Sequence, residues 1–590
     1  MAIRIDDVKA SPPLDYAAYE GAIGLNWYLV DPNLRFQADR YLPPDQRQWA
    51  EEQLVRWGQL CGGPIAERAE VLDKNPPQLE RYDAWGNEVN RIRHHPAAIE
   101  SKQDVWEKGP GALVRRQGRQ VPALLDNAFS YLLFQSDTGI GCATGMTGGV
   151  DSLVARFGSP SVRERFLPKL RAPDFEDAWD GAMFMTEVSG GSDLSESATT
   201  ARHIRDDLWA LNGSKWFCSN VDARAVVTLA RPEGGAPGVR GLGLFFVPAF
   251  REDGSPNGIR IRRVKDKLGT RSVPTTEIDF VDAEAYSLSD QRAATTRDSS
   301  AAGINRMMGM VQGSRFGVAM MSLGIMRRSC LEAAIYAARR TAFGRAIQDH
   351  PMVRETLVNM LVELEAAAAL CFACGQLAGA SGQGRQLYRI MVPLAKFRAT
   401  RGGLELASQA LEMLGGNGYI ENWPTARQLR DAQCHTIWEG TENIICLDVR
   451  RAVLRERAHE SLLTKIDEIL GAAEHAGLRE TADLVAGARG ELGDALAYYL
   501  SADEETQRLH ARRLTAFLTD VCQAALLIDE AAWELANLGS ARKAVVARLF
   551  TRRRLSTPPL RGITDPDRTA IDLFEAITRY RTVSPSDAGF

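Results

Sequence analysis

Three short segments carry residue types whose spacing suits chemistry. In RDAQCHTIWEGTEN, Arg430 to Asn443, the carboxylate of Glu439 stands between the bulky Ile437-Trp438 pair and Gly440. A carboxylate in an apolar wall loses hydration, which raises its proton affinity and makes it a better base near neutral pH. The alternative is a helix-capping or salt-bridged glutamate. His435 precedes it by four residues, a metal-pair spacing if the stretch is helical, but no further ligand follows within reach and no metal is expected.

The second segment, MFMTEVSGGSD from Met183 to Asp193, passes from a β-like stretch into a loop dense in glycine and hydroxyls. Such a loop can turn backbone N–H groups toward an anion and lay apolar atoms against a flat ring; it can equally be a surface turn. The third, KWFCSN from Lys215 to Asn220, reads as a strand in which Phe217 and Ser219 share one face. That face offers an aromatic wall and a hydrogen bond to one planar ligand, or is an ordinary half-buried strand. There is no G-x-G-x-x-G, no G-x-x-x-x-G-K-[ST] and no G-x-S-x-G, so a nucleotide cofactor would need another scaffold.

The elements that must position these segments follow from pattern. Residues 1–180 read as a helical region interrupted at Pro43-Pro44 and Pro76-Pro77, with a buried helix over Val121–Phe134 and a short one over Ser161–Leu170. Over 181–285, β-rich runs at Trp209–Leu211, Ala225–Ala230, Leu242–Val247 and Thr275–Val281 are separated by Gly and Pro turns, as in a small antiparallel β domain. Ser287 to Ser300 reads as a linker. Helical bundle residues fill 300–452, where Leu357, Met360, Leu361 and Leu364 form one apolar face and Leu404, Ala407, Leu411 and Leu414 another. Residues 453–590 form an additional helical domain with its own face at Leu514, Phe517, Leu518, Val521, Cys522 and Ala525.

The chain has 590 residues, 45% hydrophobic and 25% charged, which excludes a disordered or small disulfide-stapled protein. Its net charge of −4 argues against chain-wide affinity for nucleic acid or anionic membrane. Nine scattered cysteines suit reduced thiols in a cytoplasmic protein, and Cys371-x-x-Cys374 reads as helix packing. The N-terminal residues lack the apolar core of a secretory signal. The uncharged run Ala366–Gly384 is broken by glycine and polar residues, so no membrane span is expected.

With five motifs in order, the chain resembles the flavin-dependent acyl-CoA dehydrogenase family. They are MTE-x-x-x-GSD at 185–193, K-x-F-x-S-N at 215–220, R-T-A-F-G at 340–344, L-G-G-N-G-Y at 414–419, and RDA followed by W-E-G-T at 430–441. The resemblance covers roughly residues 120–450. It implies a helical N-terminal domain, a β-barrel middle domain and a C-terminal four-helix bundle, to which an extra C-terminal helical domain is added.

It also implies FAD as cofactor and an acyl thioester or related small molecule as substrate. Carried over, Met185 and Thr186 line the flavin, Ser192 lies near the pyrophosphate or thioester, and Phe217, Cys218 and Ser219 form the strand beside the ring. Arg340 and Phe343, from a neighbouring subunit of a homotetramer, hold the ADP half with Glu412 and Gly416. Glu412 stands where many members have glutamine, and an anion there is unfavourable beside a pyrophosphate. Ile437, Trp438, Gly440, Thr441 and Asn443 line the flavin and substrate. Glu439 is the implied base, taking the α proton while the β hydrogen leaves as hydride to flavin N5. An electron-transfer protein and oxygen are equally open as electron acceptor.

The N-terminal extension, IWEG, MTE with GGSD, and KDKLG-x-RS at Lys265–Ser272 resemble the AidB-like branch, associated with the response to DNA alkylation. That resemblance implies, as an alternative, a flavoprotein with weak dehydrogenase activity that binds and protects DNA. In that branch the DNA contact is a basic C-terminal domain. Here Arg450–Phe590 holds 20 basic and 21 acidic residues, leaving one basic strip, Arg542, Lys543, Arg548, Arg552, Arg553 and Arg554. If displayed on a helix the strip could meet phosphates; otherwise it is a solvated or interface face.

Overall fold

Proline sets where the first helices stop. The computed structural model describes residues 14–288 and 300–590. Helix α1 (Pro32–Tyr41) ends before Pro43-Pro44; α2 (Arg47–Leu60) and α3 (Ala66–Lys74) follow. Past Pro76-Pro77 the chain forms an antiparallel hairpin, β1 (Gln78–Tyr82) with β2 (Glu88–Arg93), where the sequence suggested only helix and irregular connection. Both strands are largely solvent-facing and rich in charge, so neither shows the apolar alternation that identifies a half-buried strand. Helices α4 (Pro96–Lys108), α5 (Pro110–Gln117), α6 (Ala123–Ser136), α7 (Thr138–Phe157) and α8 (Pro160–Leu170) complete the N-terminal region. Asp31, Asp137 and Ser159 cap α1, α7 and α8 by accepting from backbone N–H groups of the first turn.

Seven strands follow: β3 (Gly181–Phe184), β4 (Thr200–Arg205), β5 (Leu208–Ser219), β6 (Ala225–Pro232), β7 (Gly243–Pro248), β8 (Ile259–Val264) and β9 (Thr275–Ser287). Pairing runs from β6 through β4, β5, β9 and β7 back to β6, closing a barrel, with β3 added on β6 and β8 on β9. The domain is not wholly antiparallel as expected: β3–β6 and β4–β6 are parallel. Turn spacing betrays hairpins only, whereas parallel partners are joined by crossovers that leave no such mark. Strand β6 is buried on both faces, which explains its unbroken apolar run. Val226 and Ala230 pack with Phe184, Cys218 and Phe245, while Ala225, Val227 and Leu229 pack with Val150, Val154 and Phe166 of α7 and α8.

The C-terminal half comprises α9 (Ser300–Arg339), the two-residue strands β10 (Thr341–Ala342) and β11 (Arg345–Ala346), α10 (Pro351–Gly375), α11 (Gly382–Met413), α12 (Pro424–His435) and α13 (Glu442–Leu454). Then come α14 (Ala458–Ala472), α15 (Arg479–Ser501), α16 (Glu504–Leu538) and α17 (Arg542–Leu555). Leu357, Met360, Leu361 and Leu364 are all buried, as their spacing required, and so are Cys371 and Cys374. Helix α10 is long and apolar enough to cross a membrane, yet 83% of its most apolar window is buried inside the protein. Ser287 ends β9, and most of the linker expected up to Ser300 lies outside the described residues, as does the N-terminal stretch read for a signal.

Two compact units emerge. One contains the chain up to Pro64, Pro122–Ser136 and Val318–Phe590; the other contains Ile65–Val121 and Asp137–Gly317. Within the first, a buried charge network ties α17 to α10, α16 and α1. Arg542 and Lys543 both pair with Glu365, the lysine at 2.8 Å, and Lys543 reaches Glu530 and the Asn33 amide oxygen at 2.7 Å each.

Candidate active site

In the barrel unit the MTE segment leaves β3 and is anchored by charge. Glu187, immediately after Met185-Thr186, is buried and accepts from Lys215 Nζ and Thr199 Oγ1, each at 2.7 Å, and from the Ala198 amide at 2.6 Å. Burial alone would raise its carboxyl, but the Lys215 ammonium and these donors outweigh it and hold the group below the ordinary carboxylate range. Trp216 N–H donates to Thr186 O at 2.9 Å, tying the loop to β5. Gly191 lies against Thr186: a Cβ there would stand 2.7 Å from Thr186 Oγ1. Met185 and Thr186 are half-buried and Ser192 is exposed.

Strand β5 carries a bulge at the aromatic pair. Lys215 faces Ile278 and Cys218 faces Thr276, so two residues of β5 oppose one of β9. The bulge lets Lys215 and Cys218, three apart, both point inward, and it leaves Phe217 54% exposed. Ser219 is half-buried, with its hydroxyl 2.9 Å from Thr275 Oγ1. The Cys218 thiol, by contrast, sits in the barrel core and is pushed far up by burial, so its side chain takes no part in the exposed face proposed for a flavin. Lys265, which pairs with Glu277 at 2.7 Å, places its ammonium 3.5 Å from the Trp216 ring centroid and 4.9 Å from that of Phe217.

In the helical unit the glutamate lies in a turn. Helix α12 ends at His435, and the N–H groups of Ile437 and Trp438 both donate to Cys434 O, at 2.9 and 3.0 Å. Glu439 is not on the helix, so it and His435 do not share a helical face. Its φ is +56° and that of Gly440 is +110°. The second value belongs to glycine: a Cβ at 440 would also lie 3.1 Å from Ile444 Cγ2. Strain of this kind collects at functional sites. Trp438 and Glu439 are half-buried and Ile437 is 57% exposed, so the apolar wall expected around the carboxylate is open on one side.

Behind the turn, beside His435, are two side chains that sequence reasoning missed, Lys396 and Ser322. Lys396 of α11 is buried and donates from Nζ to Gly440 O at 2.5 Å. Ser322 of α9 donates to Val318 O at 3.0 Å and meets His435 Nδ1 at 3.1 Å. The one hydroxyl proton is thus used, and His435 donates from Nδ1–H. Burial first, and the Lys396 ammonium second, bring the His435 pKa down to about 3, so the ring is neutral. A lysine within an amphipathic helix reads as solvated, and nothing in its own segment marks this one as different.

The R-T-A-F-G and L-G-G-N-G-Y motifs come together at the end of α9. Strands β10 and β11 form a hairpin whose two turn residues, Phe343 and Gly344, have φ of +52° and +81°, and Phe343 is 95% exposed. Arg340 is exposed; its N–H donates to Tyr336 O, and the Tyr336 hydroxyl lies 3.3 Å from Asn417 Nδ2. Glu412, in the last turn of α11, and Gly416, in the turn that follows it, are exposed. Thr441 is the exposed N-cap of α13 with no side-chain capping bond, and Asn443 accepts from Arg512.

The basic strip does not survive folding as a strip. Arg542 and Lys543 are buried in the Glu365 network. Arg552 pairs with Glu480 at 2.7 Å and Asp567 at 3.1 Å, Arg554 with Glu363 at 2.7 Å, and Arg553 lies 3.9 Å from Glu363. Acidic residues distant in sequence supply the neutralisation, which a count along 542–554 cannot register.

Residues 182–283 match the acyl-CoA dehydrogenase middle domain, 301–454 the C-terminal domain of the same family, and 20–177 the N-terminal domain of the adaptive response protein AidB. Acyl-CoA dehydrogenase family member 11 of Caenorhabditis elegans is 31% identical over 86% of this chain and 84% of its own length. The chain belongs to the acyl-CoA dehydrogenase family. The putative acyl-CoA dehydrogenase AidB of Escherichia coli is 31% identical over 71% of the chain and 76% of its own length, which places the chain in the AidB-like branch. Among solved structures, Caenorhabditis elegans ACDH-11 in complex with C11-CoA superposes with a TM-score of 0.83 at 27% identity, covering 94% of this chain and 95% of that one. Family membership makes the protein a flavin oxidoreductase of the acyl-CoA dehydrogenase type, with FAD as cofactor.

Proposed function

We propose that this acyl-CoA dehydrogenase-type enzyme oxidises the Cα–Cβ bond of an acyl-CoA thioester, with Glu439 as the base. The observation that carries the assignment is the Glu439–Gly440 turn. Two successive residues are held at positive φ where the W-E-G-T motif places the base, and Lys396 grips the turn from behind. The C11-CoA carried by the Caenorhabditis elegans relative supports a thioester with a medium alkyl chain as the substrate class.

The barrel residues fit a flavin. Phe217 offers an exposed aromatic face on a bulged strand, the Ser219 hydroxyl lies beside it, and Gly191 leaves Thr186 uncovered where a Cβ would strike it. Phe217 and Met185 would hold the ring, with Thr186 and Ser219 at its polar edge. FAD, when bound, supplies the two-electron acceptor for the β hydrogen. Glu439 would take the α proton onto a carboxylate oxygen; the α C–H pair left behind becomes the Cα–Cβ double bond, and the β C–H pair leaves with its hydrogen as hydride. The thioester carbonyl makes the α proton removable, and the fixed turn converts a weak base into an oriented one.

Phe343 stands in a strained turn with its ring in solvent, a costly arrangement for a lone protomer. We take it as the contact that reaches a neighbouring subunit of a homotetramer.

Glu439→Gln tests the assignment. The variant should bind FAD as the wild type does, yet bleach at least about 10²-fold more slowly when mixed anaerobically with its best acyl-CoA. Bleaching at the wild-type rate would remove Glu439 as the base.

A further inference from the structure

We propose that Lys396 is a positioning residue for the base, holding the Glu439 turn through the backbone of Gly440; the inference rests on Glu439 being the base.

Helix α11 is tied to α13 and the residues flanking it at three points. At one end Arg389 pairs with Asp448 at 2.7 Å and with Glu456 at 3.0 Å; at the other Arg401 pairs with Glu442 at 2.8 Å. These ion pairs hold α13 against α11 independently of Lys396. The middle strap differs in partner and environment. Lys396 is 1% exposed, and its Nζ donates at 2.5 Å to the carbonyl of Gly440, outside both helices. Burying an ammonium is expensive unless it is well bonded, so a lysine kept there is matched to its target.

That target is one residue past Glu439. The first carbonyl used by α13 is that of Thr441, which accepts from Ile445 N–H at 3.0 Å, so the Gly440 carbonyl lies before the helical ladder begins. The peptide is planar, so a grip on this oxygen fixes the plane of the Gly440–Thr441 peptide and with it the Gly440 Cα, the atom from which the chain runs back to Glu439. Gly440 at φ +110° has wide freedom in the absence of such a bond, because glycine meets few barriers. The His435 ring, also against Lys396, is neutral and donates elsewhere, to Ser322. It therefore sets no second positive charge against the buried ammonium.

The experiment uses FAD-loaded enzyme and acyl-CoA under anaerobic conditions. Lys396→Met should lower the limiting bleaching rate about 100-fold, the cost of roughly 1 Å of misplacement, while FAD affinity and the half-saturating acyl-CoA concentration stay within about threefold. Lys396→Gln, which keeps a donor, should recover most of that loss. A fall in FAD or substrate affinity matching the fall in rate would assign Lys396 a general structural role and overturn the proposal, as would an unchanged rate.

A double-mutant cycle with Gly440→Ala gives a second reading. Lysine and turn acting as one device should give losses that do not multiply, whereas independent losses reject the coupling. If the methionine variant fails to fold, the same cycle is run with Lys396→Ala, which also removes the donor. Glu439→Gln is measured in parallel: full activity there removes the base and this inference together. A dead Glu439→Gln beside a fully active Lys396→Met removes only the lysine's role.

Discussion

Replacing His435 by glutamine should change how the fold responds to acid. The imidazole is buried, and burial together with Lys396 brings its pKa from the ordinary 6.5 down to about 3. Above pH 6.5 the folded and unfolded chains both hold a neutral ring, and this residue makes stability insensitive to pH. Below 6.5 the unfolded chain takes up a proton that the folded chain refuses, so stability falls by about 1.4 kcal/mol per pH unit until the folded pKa is reached. At pH 5 the accumulated loss is about 2 kcal/mol relative to pH 8. A glutamine can keep a hydrogen bond to Ser322 but carries no titrating proton. Denaturant unfolding of wild type and His435→Gln, followed by far-ultraviolet circular dichroism from pH 8 to pH 5, isolates the residue because the other groups are common to both. The gap between the two proteins should shrink by about 2 kcal/mol across that range. Parallel curves would refute the reasoning: they would show that the folded ring takes up its proton at the same pH as the unfolded one, as a water-reached imidazole does.

Arg542→Met should destabilise the helical unit by about 3–5 kcal/mol, because it strips a cation from the buried Glu365, whose carboxyl that arginine helps bring down to about 2; thermal unfolding reads the loss, and a change under 1 kcal/mol would mean water reaches the site. Phe343→Ala should shift the sedimentation of the FAD-loaded protein toward smaller species, since the exposed ring is assigned to a subunit contact; an unchanged oligomer removes that assignment. Arg552, Arg553 and Arg554 changed together to Ala should leave DNA affinity and its salt slope as in the wild type, because Glu363, Glu480 and Asp567 already neutralise them. A drop of the salt slope by one or more would restore the strip as a phosphate contact.

Much of the site was legible in the chain because its chemistry is local. The W-E-G-T motif marked Glu439 as the implied base, although the turn that holds it at positive φ is seen only in the fold. Phe217 and Ser219 lie on one face because strands alternate. Helix faces such as Leu357, Met360, Leu361 and Leu364 followed from a period of 3.6 residues and are buried as read.

What only the tertiary structure decided concerns partners that are remote in sequence. Lys396 looks like any helical lysine until α11 meets the turn before α13, 44 residues later. Arg542 and Lys543 look like a basic face until Glu365, 177 residues away from Arg542, is folded against them. The parallel pairing of β3 and β4 with β6, and the bulge that turns Cys218 inward, depend on which strands become neighbours. Periodicity and turn chemistry are properties of adjacent residues and can be read along the chain. Burial and charge pairing depend on what arrives from elsewhere, and that is settled only when the chain closes on itself.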